Sequence, residues 1–354
     1  MGLVESDPQR PATVAQMNRL AETVIVPVDL CGAKVAVVIP AYRVAPQILK
    51  VVAGIPPWVH TIIVVEDRSP DDTADKVAAC GDPRVVLLRH AENQGVGGAM
   101  ATGFKAAIER GMDIVVKMDG DDQMDPAWLP RLVQPLVEGD ADMVKCNRYQ
   151  HLGALRQMPL VRVVGNAGLT FLVKAASGYW NIFDPANGYI AVRTRALERL
   201  DLDRLPKRYY FESGLLVELG IARAVVKDIA VPARYGDERS SLSPLRVLLE
   251  FPPRLCAGFA RRLFWRYFVH DFTAATLFML LGAPLFLFGA LYGASAWLSH
   301  IRDNAYASAG VVMIAAMPII LGAQLLLQAV VLDIQHVPRD PLCSPLRRER
   351  RRPN

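Results

Sequence analysis

Residues 114–126 read IVVKMDGDDQMDP. A short apolar run ends abruptly in three acids, Asp119, Asp121 and Asp122, with Gln123 beside them. Such a run predicts a buried strand over Ile114–Met118, with the acids at its carboxyl end. Carboxylates this close repel one another unless something neutralises them, and a hard divalent cation with oxygen ligands does so. Alternation puts Asp119 and Asp121 on one side of the chain. The competing reading is a solvated acidic turn that also caps a helix at Asp125-Pro126. A calcium-binding EF-hand loop is excluded, because Met124 and Pro130 stand where its Gly and Glu belong.

The preceding chain repeats the pattern. Lys34–Pro40, Thr61–Val65 and Val85–Leu88 are further short apolar runs, read as parallel strands. Helical stretches separate them: Val44–Ala53, a helix capped by Ser69-Pro70-Asp71-Asp72 and running to Ala79, and Gly97–Glu109. This alternation predicts an α/β fold with a mostly parallel, Rossmann-like sheet and ligands at the carboxyl ends of its strands. Polar elements fall at each of those ends. Pro40-Ala41-Tyr42 follows the first strand, Glu66-Asp67 the second, Asn93-Gln94-Gly95 with Gly97-Gly98 the third, and the acidic cluster the fourth. Glu66 and Asp67 suit hydrogen bonds to base N–H groups or ribose hydroxyls, or capping of the next helix. The Gly95 loop fits neither GxGxxG nor GxxxxGK[ST]. Its glycines are expected to allow close approach of the chain to a nucleotide or sugar, or to make a plain turn.

The 354 residues carry 40 Lys+Arg against 35 Asp+Glu, a net charge of only +5. With Arg concentrated near the C-terminus, a nucleic-acid partner is not expected. The five cysteines contain no CxxC and are read as free thiols, most of them buried. Residues 1–33 precede the strand pattern as an extension, and their charges, with no apolar core, do not predict a signal peptide.

Mean hydropathy is +0.22, high for a soluble chain. The excess lies in Thr273–Leu298 and Ala305–Leu332, neither of which contains a charged residue. About 20 apolar residues span a bilayer as a helix, so both are predicted transmembrane segments. Arg246, Arg254, Arg261, Arg262 and Arg266 precede them. Arg339, Arg347, Arg348, Arg350, Arg351 and Arg352 follow, and the link Ser299–Asn304 holds only Arg302. The positive-inside rule predicts both termini in the cytoplasm, with Trp297 at the outer interface. In the segment before the spans, Leu255, Phe259, Leu263 and Tyr267 form one helical stripe, with Arg262 and Arg266 at its edge. That pattern predicts a helix lying in the membrane interface, its Arg directed at anionic headgroups, or else an ordinary surface helix of the soluble domain. Pro252-Pro253 is expected to start or break it. The expected organisation is an extension at 1–33, a catalytic domain at 34–244, an interfacial segment at 245–272, a two-helix anchor at 273–332 and a basic tail at 333–354.

The ordered motifs VVIPAY, VVEDRSPDDT, NQGVGGA and KMDGDDQMDP resemble those of inverting family-2 glycosyltransferases with the GT-A fold. The similarity is greatest to the polyprenyl-phosphate group, which includes dolichol-phosphate mannose synthase and bacterial undecaprenyl-phosphate sugar transferases. Asn147-Arg148-Tyr149, Asp184 to Tyr189, Phe211-Glu212 and Arg239 to Ser243 match further segments, the last without its Gly and Lys. The resemblance implies that Pro40, Tyr42, Glu66 and Asp67 contact the nucleoside, with Asn93 and Gly95 in the same substrate site. It implies that Asp119, Asp121 and Gln123 coordinate Mg²⁺ or Mn²⁺. The reaction it implies moves one hexose from a UDP- or GDP-sugar to a polyprenyl phosphate at the cytoplasmic face of a membrane, bacterial inner membrane being expected. A phosphate monoester is largely dianionic at neutral pH and needs charge neutralisation rather than a strong base. Arg148, Arg193 and Arg239 are the candidates, since Arg pairs phosphate bidentately. The alternatives are a processive polysaccharide synthase, which lacks its Gln-x-x-Arg-Trp here, and an inactive membrane scaffold. A homo-oligomer is compatible with the two-helix anchor.

Overall fold

The structure, a computed structural model, describes residues 30–148, 160–231 and 244–346. The described chain opens with β1 (Val35–Ala41), α1 (Ile48–Gly54), β2 (Thr61–Glu66), α2 (Thr73–Ala78), β3 (Val85–Arg89), α3 (Val96–Glu109) and β4 (Ile114–Lys117). It continues with α4 (Leu129–Glu138), β5 (Met143–Asn147), α5 (Leu160–Ser177), β6 (Ile190–Arg193), α6 (Thr194–Leu197), α7 (Phe211–Ile221) and β7 (Val226–Ala230). The strands form one sheet in the order β3-β2-β1-β4-β6-β5-β7. Only β6 runs antiparallel to its neighbours, β4 and β5.

The first four strands and their connecting helices lie where the apolar runs predict. The middles of these strands are apolar because both faces of the sheet are covered, and polar residues such as Glu66 and Lys117 fall at their carboxyl ends. Val38, Ile63 and Val115 pack with Phe104 and Phe211 on one face, and Val37, Ile62 and Val116 pack with Ile48 and Leu132 on the other. Asp71, just before α2, accepts from the Thr73 N–H and hydroxyl and from the Ala45 N–H. Burial opposes its ionisation, but these bonds and the Ser69 hydroxyl hold the carboxyl down at about 2.

Two long helices follow, α9 (Ala274–Arg302) and α10 (Ala309–Gln335), after α8 (Pro244–Phe264) and a π-helical turn, Trp265–His270. Both α9 and α10 are long and apolar enough to cross a membrane, and most of each surface is exposed. A helix in a soluble core would be covered instead. The pair packs through small residues: a Cβ on Gly289 would lie 2.7 Å from the Ala315 carbonyl, and one on Gly322 2.5 Å from the Phe286 nitrogen.

Several sequence expectations change here. Helix α8 runs through Pro252-Pro253, with Phe251 and Leu255 buried on either side. Its stripe does not lie on lipid along its length, since Leu255 and Tyr267 are buried. Arg262 and Arg266 do not reach for headgroups. Both are buried, Arg262 completely, because α8 packs between α5 and α7. Chain beyond the second span is not simply a tail: Leu342 and Cys343 donate backbone N–H bonds to Asp142 at the start of β5, and Leu346 enters the core. The cysteines are free, but only Cys146 and Cys343 are fully buried.

Candidate active site

Two cavities open at the carboxyl edge of the sheet and share Asp119 and Asp121. The first, about 410 Å³, is lined by Pro40, Tyr42, Asp67, Asn93, Gly95 and Arg208, among others. The second, about 450 Å³, takes in Lys117, Gln123, Arg148, Gly188, Tyr189 and Glu212. The strand ends that carry Pro40, Asp67, Asn93 and Asp119 thus converge as the sequence predicts.

The side chains differ in how they are held. Asp67 is buried, and it does not project freely at a ligand. Its Oδ1 meets His90 Nδ1 at 2.7 Å and the Gln94 N–H at 2.8 Å, and its Oδ2 accepts from the Gly95 N–H at 2.7 Å. The Asn93 amide donates to the Asp67 carbonyl at 3.0 Å. His90 is fixed in turn by the Thr102 hydroxyl at 2.9 Å. Asp67 therefore shapes the Gly95 loop and presents it to the cavity. Glu66 is also buried and accepts from the Ser69 N–H, which closes the turn after β2. Tyr42 is 43% exposed at the cavity mouth.

The glycines after Gly95 serve the protein's own chain. The Gly97 and Gly98 N–H groups donate to the Lys207 carbonyl at 2.9 and 3.1 Å. A Cβ on Gly97 would lie 1.9 Å from the Pro206 carbonyl oxygen. This close approach brings the segment 206–210, with Arg208 and Tyr209, over the first cavity. The sequence gives no local sign of it, because the two segments are far apart in the chain.

At the centre stands Lys117, the last residue of β4, fully buried. Its ammonium lies 2.6 Å from Asp119 Oδ1 and 3.4 Å from Glu212 Oε1. Burial alone would depress it, but the carboxylates of Asp119 and Glu212 outweigh burial and hold it above the ordinary lysine range. Gly188 makes room, since a Cβ there would lie 2.4 Å from the Lys117 nitrogen. A lysine ending an apolar strand ordinarily marks the surface, so nothing local in the sequence signals the burial of Lys117. Of the three acids, Asp119 and Asp121 face the cavities, while Asp122, at φ 63°, turns back to pair with Lys50. Gln123 lines the second cavity, and its N–H donates to Asp121 Oδ1 at 3.1 Å.

Arg148, at the end of β5, lines the second cavity with its guanidinium held by Asp184, Nε at 2.8 Å and Nη2 at 3.1 Å. Burial opposes ionisation of Asp184, but Arg148 outweighs it and holds the carboxyl below the usual carboxylate range. Arg193 does not join this group. In the antiparallel register Arg193 pairs with Ile114 and Ile190 with Lys117, which puts Arg193 at the opposite edge of the sheet. It is buried there and donates to the Leu136 and Ser344 carbonyls at 2.8 and 3.2 Å. Its expected place in the site is therefore corrected. Arg239 lies outside the described residues.

A mixed sheet of this order, with paired acids at a strand end between two cavities, has the architecture of a GT-A glycosyltransferase. The profile described as Glycosyl transferase family 2 matches residues 36–201. The chain is 31% identical over 212 residues to the UDP-N-acetylglucosamine–dolichyl-phosphate N-acetylglucosaminyltransferase of Methanococcus voltae, covering 54% of this chain and 84% of the relative. It is 32% identical to the undecaprenyl-phosphate mannosyltransferase of Micrococcus luteus, covering 49% and 71%. It is 33% identical to the polyprenol monophosphomannose synthase of Mycolicibacterium smegmatis, covering 49% and 67%. Among solved structures, glucosyl-3-phosphoglycerate synthase of Mycobacterium tuberculosis, in complex with Mn²⁺, UDP and glucosyl-3-phosphoglycerate, aligns with a TM-score of 0.48 and 22% identity, covering 72% of this chain and 85% of that one. The chain belongs to glycosyl transferase family 2 and is a glycosyltransferase.

Proposed function

We propose that the protein transfers a single sugar from a nucleoside-diphosphate sugar to a polyprenyl phosphate, with inversion, at the cytoplasmic face of a membrane. The observation that carries this reading is the meeting of two cavities at Asp119 and Asp121, one beside the Asp67-organised loop and the other walled by Arg148. The first suits the nucleotide, and the second suits the phosphate of the acceptor. The two apolar helices and the polyprenyl-phosphate substrates in the relatives' names support a lipid acceptor.

In this reading one oxygen of the lipid phosphate attacks the anomeric carbon from the second cavity. The bond to the diphosphate breaks on the opposite face, and the nucleoside diphosphate leaves through the first. The nucleophile arrives ionised, so the protein's task is placement and charge balance. Arg148, held by Asp184, steadies the acceptor phosphate, and Arg239 is proposed as a second ligand of that phosphate. Lys117, 2.6 Å from Asp119 Oδ1, fixes the direction of that carboxylate.

A divalent cation fits this donor set. Asp119, Asp121 and Gln123 offer oxygen ligands of the hard kind that Mg²⁺ and Mn²⁺ prefer. A cation such as Mg²⁺ commonly takes one or two carboxylates and completes its shell with water and substrate phosphate. The ion would offset the charge developing on the leaving diphosphate.

The test is incubation of membranes containing the protein with polyprenyl phosphate and each of several radiolabelled nucleotide sugars, followed by identification of the lipid product. A glycosylated polyprenyl phosphate from one donor, lost in EDTA, is expected. Free sugar as the sole product would remove the lipid acceptor.

A further inference from the structure

A third cavity, about 650 Å³, lies between the 204–210 segment, α7 and α8, apart from the two that share Asp119. Its charged lining is lopsided: Arg204, Lys207, Arg208, Arg254 and Arg261 face it, against Glu218 alone. Glu218 is taken up by Arg261. Arg204 pairs with Asp201 at 3.0 Å on the exposed rim, and the Arg254 guanidinium rests 5.9 Å from the Tyr210 ring centroid. Among the described residues no hydrogen bond or ion pair engages the side chains of Lys207 and Arg208, so the lining of the groove carries more positive than negative charge. Its floor forms where Gly258 lets α8 approach α7, a Cβ there lying 3.3 Å from Val217.

The position of this groove selects its occupant. Arg261 is about one helical turn from Phe264 and Trp265, roughly 4.5–6 Å along the axis. Phe264 is 56% exposed and stacks on exposed Phe268. A few residues on, Ala274 begins the first apolar span. Exposed aromatics next to a spanning helix belong at the level of the headgroups. The basic groove then sits at headgroup depth, beside an apolar surface able to take an acyl chain. Arg pairs phosphate bidentately, so a phosphodiester fits where a soluble acidic partner would leave the aromatic face bare. The groove also touches the site: Arg208 lines both it and the first cavity, and the Lys207 carbonyl holds the Gly97 and Gly98 N–H groups.

We propose that this groove binds the phosphodiester headgroup of an anionic bilayer phospholipid, and that its occupancy steadies the 206–210 segment over the donor cavity. The proposal rests on the reading of α9 and α10 as membrane spans. It requires no oxygen of the bound phosphodiester to react.

The full chain, purified in detergent, is examined by native mass spectrometry with phosphatidylglycerol or phosphatidylcholine added. Phosphatidylglycerol should be retained roughly tenfold better or more. The Lys207→Gln/Arg254→Gln protein should lose that preference with an unchanged melting temperature. A control with the same charge change, Arg131→Gln/Arg199→Gln, should keep it. In vesicles, adding phosphatidylglycerol to phosphatidylcholine should raise sugar transfer by wild type several-fold, and transfer by Lys207→Gln/Arg254→Gln should stay at the phosphatidylcholine level. Selective retention without any sugar transfer would leave this site standing and remove the proposed reaction. Equal retention of both lipids by wild type would overturn the site. So would displacement of phosphatidylglycerol by polyprenyl phosphate together with a raised acceptor KM in the double variant, because the groove would then belong to the acceptor.

Discussion

Asp333, on the last turn of the second apolar helix, accepts two hydrogen bonds from the fully buried guanidinium of Arg262 on α8, at 2.7 and 2.9 Å. Tyr267 and Trp180 donate to the same carboxylate at 2.8 and 3.2 Å, and Arg262 also reaches the Ala175 and Ala176 carbonyls. One carboxylate thus ties the end of the apolar helical hairpin to α5 and α8. With Leu342 and Cys343 bound to Asp142, it places the chain on both sides of the hairpin against the catalytic sheet.

Breaking that pair from one side should be costly. Arg262→Met leaves a buried carboxylate without its counter-charge, a loss of about 3–5 kcal/mol. Arg262→Met/Asp333→Leu should recover much of it, since an apolar pair of similar volume avoids the uncompensated charge. Thermal unfolding of the detergent-purified proteins tests this. Strictly additive losses would refute the coupling.

Asp121→Asn should reduce transfer by about 10²–10³ with little change in melting temperature. Its carboxylate faces both cavities, so the loss falls on charge stabilisation rather than on packing. EDTA should reproduce the effect in wild type, with Mg²⁺ or Mn²⁺ restoring activity. Full turnover in excess chelator would exclude the cation.

The candidate arginines should separate by kinetics. Arg148→Ala should raise the acceptor KM by about 10–150-fold, the worth of one charge-assisted phosphate contact, and Arg239→Ala should act in the same direction. Arg193→Ala should lower stability, by stranding the Leu136 and Ser344 carbonyls, and leave KM for both substrates alone. An acceptor effect in Arg193→Ala would contradict its position at the far edge of the sheet.

Asp184 sets an acid limit on stability. Its folded pKa is lowered, so its contribution is complete above the unfolded value of about 3.9 and is lost as pH falls through the folded value. Arg148→Ala removes the bond that lowers it. Chemical unfolding from pH 6 down to pH 3 should therefore show a steeper acid loss in wild type than in Arg148→Ala. Parallel curves would mean that the pair does not govern this titration.

Membrane topology is open to direct measurement. Reporters fused at Asn354 and inserted within Ser299–Asn304 should report opposite sides, with the C-terminus cytoplasmic. A C-terminus across the membrane would refute both the arginine argument and a cytoplasmic donor.

Local pattern alone was enough for the first four strands, the edge at which their loops meet, the acidic pair and the two apolar spans. Each of these depends on near neighbours: periodicity, a cap, a charge-free run. Tertiary structure decided whatever depends on distant partners. Arg193 looked like a phosphate ligand until the antiparallel pairing of β6 with β4 carried it to the far edge. Arg262 read as a snorkelling surface residue, but α8 is covered by α5 and α7 and its guanidinium needs Asp333 about seventy residues on. Lys117 ends an apolar strand, and it is Glu212 and the loop at Gly188, distant in the chain, that close over it. Gly97 needed the approach of Pro206 to explain it. Spacing along a chain specifies which face a side chain takes within its own element. The burial and charge partners that fix its role come from other elements, and packing alone brings them together.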